Sequence, residues 1–399
     1  MPDHYDELET RDDATRQAAQ LDGLKAQIAR LRDAGVEWLG EASVETLDDL
    51  SSLPVLRKSD LAAMQKDRPP FGGIPVGNVS HVFQSPGPIH EPGGNAPDWW
   101  RFGRFLRACG IGAEDTVQNC FAYHLTPAGT MFENGAAAVG ARVLPAGTGQ
   151  TDQQIAAASA LGATAYAGTP DYLKVLLDRA TETGTQLAIT KAAVSGGALF
   201  PSLRQADADA GITCLQCYAT ADLGLIAYET LPGEGMIVDE GVIVEIVTPG
   251  TGDPVTEGEV GEVVVTSLNP DYPLIRFATG DMSAFLEGDS PCGRTNRRIK
   301  GWMGRADQTT KIKGMFVRPE QVARLVAAHD GLDRVRVVAD RDGETDVMEV
   351  MAEGTGLDAD AIAASLPTHL KLKGRVTLHT PGSLPRDGLV IEDRRSYDT

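Results

Sequence analysis

The stretch TDQQIAAASALGATAYAGTPDYLKVLLDRATETG, residues 151–184, decides how this chain folds. Its first part, TDQQIAAASALG, is helix-like, with Thr151 placed to cap the N-terminus. ATAYAG follows as a short apolar run of the kind a fully buried strand requires, and Pro170 then opens a second helix over PDYLKVLLDRATETG. Helix, buried strand and helix in succession imply a parallel sheet whose two faces are both covered by helices.

The same alternation reaches back towards residue 96. APDWWRFGRFLRACG reads as helix, DTVQNCFAY as strand, PAGTMFENGAAAVGA as helix and RVLPAG as strand. Nearer the N-terminus, residues 13–33 place Leu21, Leu24, Ile28 and Leu31 at steps of three and four, the stripe of an amphipathic packing helix. After residue 235 the texture changes: GVIVEIVTPGTGDPVTEGEVGEVVVTSL predicts short strands split by Gly, Pro and Asp turns, an antiparallel region. Beyond GWMGRAD the chain offers a helix in RPEQVARLVAAHDG, strands in RVRVVAD and DVMEVMAE, a helix in DADAIAASLPTHLK and a strand in RVTLHT. The expected architecture is therefore α/β. A large lobe over 1–303 would carry parallel βα sheets and an antiparallel region, and a small mobile α+β lobe over 304–399 would follow a hinge near 304–307. The last stretch, LPRDGLVIEDRR at 384–395, reads as a solvated tail.

Composition narrows the functional classes. The chain has 399 residues, 42 % of them hydrophobic, and carries 56 acidic against 36 basic groups for a formal charge of −20. Such a field repels nucleic-acid backbones and anionic lipid surfaces, so neither is an expected partner. The N-terminal residues lack a basic region followed by an apolar run, and no stretch of about 18 apolar residues occurs, so a cytoplasmic protein is expected. The five cysteines are odd in number and scattered, which suits a reducing compartment, and Cys214 and Cys217 in CLQC read as core thiols in a buried strand.

Five short motifs, in order and at suitable spacing, resemble the adenylate-forming superfamily, in particular its phenylacetate:CoA ligase-like branch. YPLIRFATGD at 272–281 is similar to that family's R-x-x-T-G-D motif; the resemblance gives Asp281 the ribose hydroxyls of ATP or AMP, a pairing that suits a carboxylate accepting two hydrogen bonds. GRADQTTKIKG from 304 resembles the inter-domain segment, in which Arg305 would contact phosphate and Asp307 would be the pivot of the small lobe. LQCYATADLG at 215–224 resembles Y-G-x-T-E, with Tyr218, Ala219 and Thr220 at the adenine and Asp222, in place of the usual glutamate, on Mg²⁺. VSGGA at 194–198 is similar to the adenine-pocket loop, implicating Ser195, Gly196, Gly197 and Ala198. NCFAYHLTPAG at 119–129 resembles the stretch bordering the acid pocket, which makes His124 a pocket and catalytic candidate beside Tyr123, Tyr166 and Gly168.

Two stretches depart from the pattern. Where relatives hold the ATP phosphates with a Ser/Thr/Gly-rich loop, this chain has FQSPGPIHEPGG at 83–94: only Ser85 offers a hydroxyl, Pro86, Pro88 and Pro92 remove amide donors, and Glu91 adds a negative charge. Near the C-terminus, the slot that supplies a lysine to bridge the attacking carboxylate and the α-phosphate holds Leu389. Loss of such a cation typically costs on the order of 10² to 10⁴ in rate. Arg386, Arg394 and Lys373 are the nearby cations in sequence.

The resemblance implies an AMP-forming ligase that joins a small, aryl-type carboxylic acid to CoA through an acyl-adenylate, using ATP and Mg²⁺, with a homodimer as a possible assembly. Leu389 keeps open a degenerate enzyme that acts on preformed acyl-CoA or acyl-adenylate by transfer or hydrolysis, and a non-catalytic nucleotide- or acyl-CoA-binding protein. No metal cluster is expected around Cys292.

Overall fold

The computed structural model describes residues 4–395 except positions 42, 87, 198, 307, 314, 343, 344, 386 and 388. The chain divides into two compact units, one of Met1–Val244, Val265–Thr279 and Leu286–Gly301, the other of Glu245–Val264, Gly280–Phe285 and Trp302–Thr399.

In the first unit the strands Arg142–Pro145, Thr116–Asn119, Ala165–Gly168, Lys191–Val194 and Thr213–Thr220 lie side by side in that order, and all run parallel. The sheet continues with antiparallel neighbours through Gly224–Tyr228, Met236–Val238 and Arg298–Ile299. Helices Ala128–Ala138, Thr151–Leu161, Pro170–Thr183 and Pro201–Asp209 make the crossovers. Thr116–Asn119 and Ala165–Gly168 are buried along their whole length, as strands covered on both faces must be. Leu173, Leu176, Ile155 and Ile189 pack with Ala192 and Val194 in one cluster, and a leucine buried this way contributes roughly 1.5–3 kcal/mol. The cysteines of CLQC are both buried in Thr213–Thr220, and burial pushes the Cys217 thiol up to about 12, so they are core thiols.

Two boundaries differ from expectation. The helix expected from residue 96 begins only at Phe102, because the Asp98 carboxylate accepts from Gly103 N at 2.8 Å and Arg101 turns to φ +69. Thr151 is the first helical residue and not the cap, which is Gln150 at φ +53; the preceding loop is pinned instead by Gln154, whose Nε2 donates to the Gly147 and Gly149 carbonyls at 3.0 and 2.7 Å. The helix over Asp13–Asp33 lies where the apolar stripe put it, with Leu24, Ile28 and Leu31 buried. Strands Val242–Val247 and Gly261–Ser267 form in the turn-rich stretch after residue 235, and Leu56–Arg57 pairs in parallel with Phe277 and Ala278 at the start of the strand Phe277–Ser283.

The second unit contains an α+β fold. Leu332–Asp342 pairs antiparallel with Thr345–Gly354, Arg375–His379 adds in parallel on one side and Ile391–Asp393 in parallel on the other. Helices Pro319–Ala327 and Ala359–His369 supply Val322, Leu325, Ile362 and Leu366 to a core shared with Val337, Val350 and Ile391. The stretch 384–395 is thus not wholly a solvated tail: Ile391 is buried and its strand completes the sheet edge.

Candidate functional site

In open parallel sheets the loops at the carboxyl ends of the strands form the ligand site. Here the residues after Thr116–Asn119, Ala165–Gly168 and Lys191–Val194, together with the end of Thr213–Thr220, carry most of the first unit's candidates. These loops touch. Ser195 donates through Oγ to the Cys217 carbonyl at 3.0 Å and through N to the Gly168 carbonyl at 3.2 Å. A Cβ on Gly168 would stand 2.1 Å from the Tyr166 hydroxyl, so only glycine fits. Tyr166 itself is fully buried in the core cluster and donates to the Thr169 carbonyl at 2.9 Å; it braces the loop and offers no open pocket wall. His124 is exposed in its loop, while the neighbouring Tyr123 hydroxyl accepts from Asn119 Nδ2 at 2.8 Å and its pKa is raised by burial first and by Glu133 second. Gly196 takes φ +71, Tyr218 is buried beside Ala219 on its strand, and Ala198 lies outside the described residues.

Asp222 sits in the tight turn between Thr213–Thr220 and Gly224–Tyr228. Thr220 Oγ1 accepts from Leu223 N at 3.2 Å, and Gly224, at φ +73, passes so near Trp100 that a Cβ would lie 2.8 Å from its carbonyl oxygen. The carboxylate is buried, with Oδ2 taking Lys58 Nζ at 3.0 Å and Oδ1 without a hydrogen-bond partner. Lys58 is the first residue of the helix Lys58–Asp67. The proline-rich stretch at 83–94 forms an antiparallel hairpin of Val79–Ser85 with Ile89–Gly94, which sets Ser85 opposite Ile89. Glu91 is wholly buried on this hairpin; Ser85 N donates to its Oε2 at 3.2 Å and its Oε1 has no partner. Burial, and then the charge of Asp222, push Glu91 up to about 7. Tyr272 is also buried, its hydroxyl is without a partner, and burial followed by the charges of Asp222 and Glu91 holds its pKa well above the usual phenol range. Sequence reading singled out Asp222 and Ser85, took Glu91 only as an added negative charge, gave no role to Tyr272 although it opens the YPLIRFATGD stretch, and missed Lys58, which no local pattern marks.

In the second unit the T-G-D and G-R-x-D motifs meet. Asp281 and Arg305 form an antiparallel bridge, Ala306 N donates to the Gly280 carbonyl at 2.8 Å, and Arg305 Nη1 donates to Asp281 Oδ1 at 2.8 Å. Gly280 is at φ +74, and a Cβ there would approach Arg305 Nη2 to 2.9 Å. Trp302, unremarked in the sequence, donates its indole N–H to the same Oδ1 at 3.0 Å although its ring is 57 % exposed. An ion pair this open contributes little to stability, so its value lies in holding the carboxylate in place. Asp307 and Gly314 lie outside the described residues.

Leu389 is half-buried. It lines a cavity of about 360 Å³ together with Val255, Val322, Val326, Val335 and Arg334, all of the second unit. Of the nearby cations, Arg394 is paired with Glu392 at 2.8 Å, Lys373 is exposed and Arg386 lies outside the described residues.

A parallel sheet with candidate loops at its carboxyl edge, extended by antiparallel strands, together with a small α+β unit, is a fold shared with solved CoA ligases. Solved 2-hydroxyisobutyryl-CoA ligase in the postadenylation state with 2-HIB-AMP has the same fold, with a TM-score of 0.67 and 23 % identity over 97 % of this chain and 91 % of that one. Among curated proteins, phenylacetate-coenzyme A ligase of Thermus thermophilus is 27 % identical over 430 aligned positions covering 95 % of this chain and 96 % of the relative. The enzyme of the same name from Aromatoleum evansii is 29 % identical over 329 positions, covering 78 % and 73 %. No family model matches the chain. The chain is thus similar along most of its length to phenylacetate-coenzyme A ligases, in keeping with the resemblance its motifs carry. Among the described residues, no helix is long and apolar enough to cross a membrane.

Proposed function

We propose that the protein is an acid–thiol ligase that activates a small, aryl-type carboxylic acid with ATP and transfers the acyl group to CoA. The observation that carries this reading is the similarity to phenylacetate-coenzyme A ligases along almost the whole of both chains. In the proposed reaction Asp281, held by Arg305 and Trp302, takes the ribose hydroxyls, and the loop at Ser195–Gly197 with Tyr218, Ala219 and Thr220 takes the adenine. Asp222 would hold Mg²⁺, a role suited to a buried carboxylate oxygen that has no other partner. Mg²⁺ would supply charge neutralisation at the phosphates. His124 borders the acid pocket in this reading, and Asp307 is the pivot for the small lobe beyond residue 303.

Lys58 is the cation found beside Asp222, and in this reading it offsets part of the anionic charge there. A second reading keeps only the thioester half-reaction. It is favoured by one observation: the uncharged Leu389 lines a cavity whose walls mix valines with Asp253, Glu259, Asp333 and Arg334, and it brings no ammonium of its own to reacting anions. Acid-dependent pyrophosphate release from ATP and Mg²⁺, measured over a panel of aryl acids, separates the two. Release supports the ligase; consumption of acyl-CoA with no release at any acid supports the second reading. Leu389→Lys should raise adenylation if the rest of the site is intact.

A further inference from the structure

Leu125 carries two costs that the fold does not offset. Its backbone stands at φ +62, in the left-handed region where a leucine Cβ crowds the following carbonyl oxygen. Its side chain is 71 % exposed, so its apolar surface stays in water. The shape around it is nevertheless fixed. Thr126 N donates to the His124 carbonyl at 2.7 Å, closing a γ-turn over Leu125, and a γ-turn whose central φ is positive is the rare and strained form. The Leu125 carbonyl accepts from Gln84 N at 2.9 Å. At the foot of the loop the buried Asn119 donates through Nδ2 to the Tyr123 hydroxyl and to the Gly129 carbonyl, both at 2.8 Å, while its Oδ1 accepts from Phe121 N at 3.2 Å. Gly129 N donates to the Ala122 carbonyl at 2.9 Å. Backbone strain persists only where its surroundings over-determine it, and residues held in this way gather at ligand-binding sites.

We propose that Leu125 is a preset ligand contact that takes the apolar body of the carboxylic acid, with Asn119 as the positioning residue that holds its loop. The inference rests on the reading of 119–129 as the border of the acid pocket. Two features support that placement. The loop leaves the carboxyl edge of the parallel sheet directly after Thr116–Asn119. Its Phe121 lies against the loop at Ser195–Gly197, where a Cβ on Gly196 would stand 3.8 Å from Phe121 Cε1. A leucine side chain offers neither charge nor hydrogen bond, so what it adds to a site is apolar contact. An aryl group laid against it removes both surfaces from water, which supplies the gain that the empty loop lacks.

The test compares the full parent chain with Leu125→Asn. Asparagine tolerates the left-handed conformation, so the variant should unfold at the temperature of the parent or above it. Binding of benzoate and phenylacetate is measured by calorimetry, with and without a non-hydrolysable ATP analogue. The variant should bind both acids about tenfold or more weakly, the effect of losing a leucine contact, and the analogue within about twofold of the parent. Weaker acid binding by a chain that is no less stable is a combination that damage to the fold does not produce. Equal acid affinity in the two chains, a lower unfolding temperature for Leu125→Asn, or a matching loss of affinity for the analogue each overturns the assignment, as does a parent that binds neither acid under either condition. Pyrophosphate release is measured separately, so a parent that binds acid but releases none loses the ligase reading, and the comparison of acid affinities still decides the role of Leu125.

Discussion

Glu91→Gln should make the protein more stable in alkaline solution and leave it almost unchanged in acid. Glu91 is wholly buried and its carboxyl is pushed from 4.5 to about 7. For an acid whose folded pKa lies above its unfolded one, the unfolded chain ionises first. Stability is therefore present below about pH 4.5 and falls as pH rises through 7. A displacement of this size, at about 1.4 kcal/mol for each pH unit, amounts to about 3 kcal/mol lost between about pH 5 and pH 9. Glutamine has nearly the same shape, can accept from Ser85 N as Glu91 does, and has no proton to lose. Urea unfolding followed by near-ultraviolet circular dichroism at several pH values, with a chelator present, measures the difference. The two proteins should have midpoints close together at about pH 5, and the variant should lead by about 3 kcal/mol at about pH 9. Parallel pH profiles would show that Glu91 ionises freely in the folded chain, which would refute its burial beside Asp222.

Other substitutions test the remaining geometry. Asp281→Asn should weaken AMP binding by about 10- to 100-fold in equilibrium titration, the effect of removing a charged acceptor. Gly280→Ala, at φ +74 with Arg305 Nη2 2.9 Å from the new Cβ, should displace the guanidinium and reduce nucleotide affinity while costing about 1–2 kcal/mol of stability by thermal unfolding. Gly224→Ala meets the Trp100 carbonyl at 2.8 Å and should lower stability by more than about 2 kcal/mol at every pH tested by urea unfolding, because the obstruction is backbone and carries no titrating group.

What sequence could and could not disclose follows from the range over which each signal acts. The parallel sheet was legible because its strands are continuous apolar runs and its helices announce themselves within a turn or two, as Pro170 does. Helix starts were less so: Gln150 and Arg101 adopt left-handed conformations fixed by Gln154 and Asp98, contacts that a propensity argument does not contain. The edge strand Ile391–Asp393 escaped notice because it is short and sits among charges, and its partner Val337 is far away in sequence. Asp281 with Arg305 could be foreseen, since both lie in motifs near in sequence.

The Asp222 cluster shows the opposite limit. Lys58, Glu91, Asp222 and Tyr272 come from four separate segments, and of the four only Asp222 was given a chemical role by the motif it stands in. In sequence, Glu91 was an anion in a stretch that relatives use for phosphate, hence a liability. In the structure it is shut away from solvent, with one oxygen on Ser85 N and the other without a partner. A carboxylate so placed acts on whatever shares the cluster, by charge when ionised and by a proton when neutral. The departure at 83–94 therefore alters the charge balance around Asp222, where Lys58 is the paired cation.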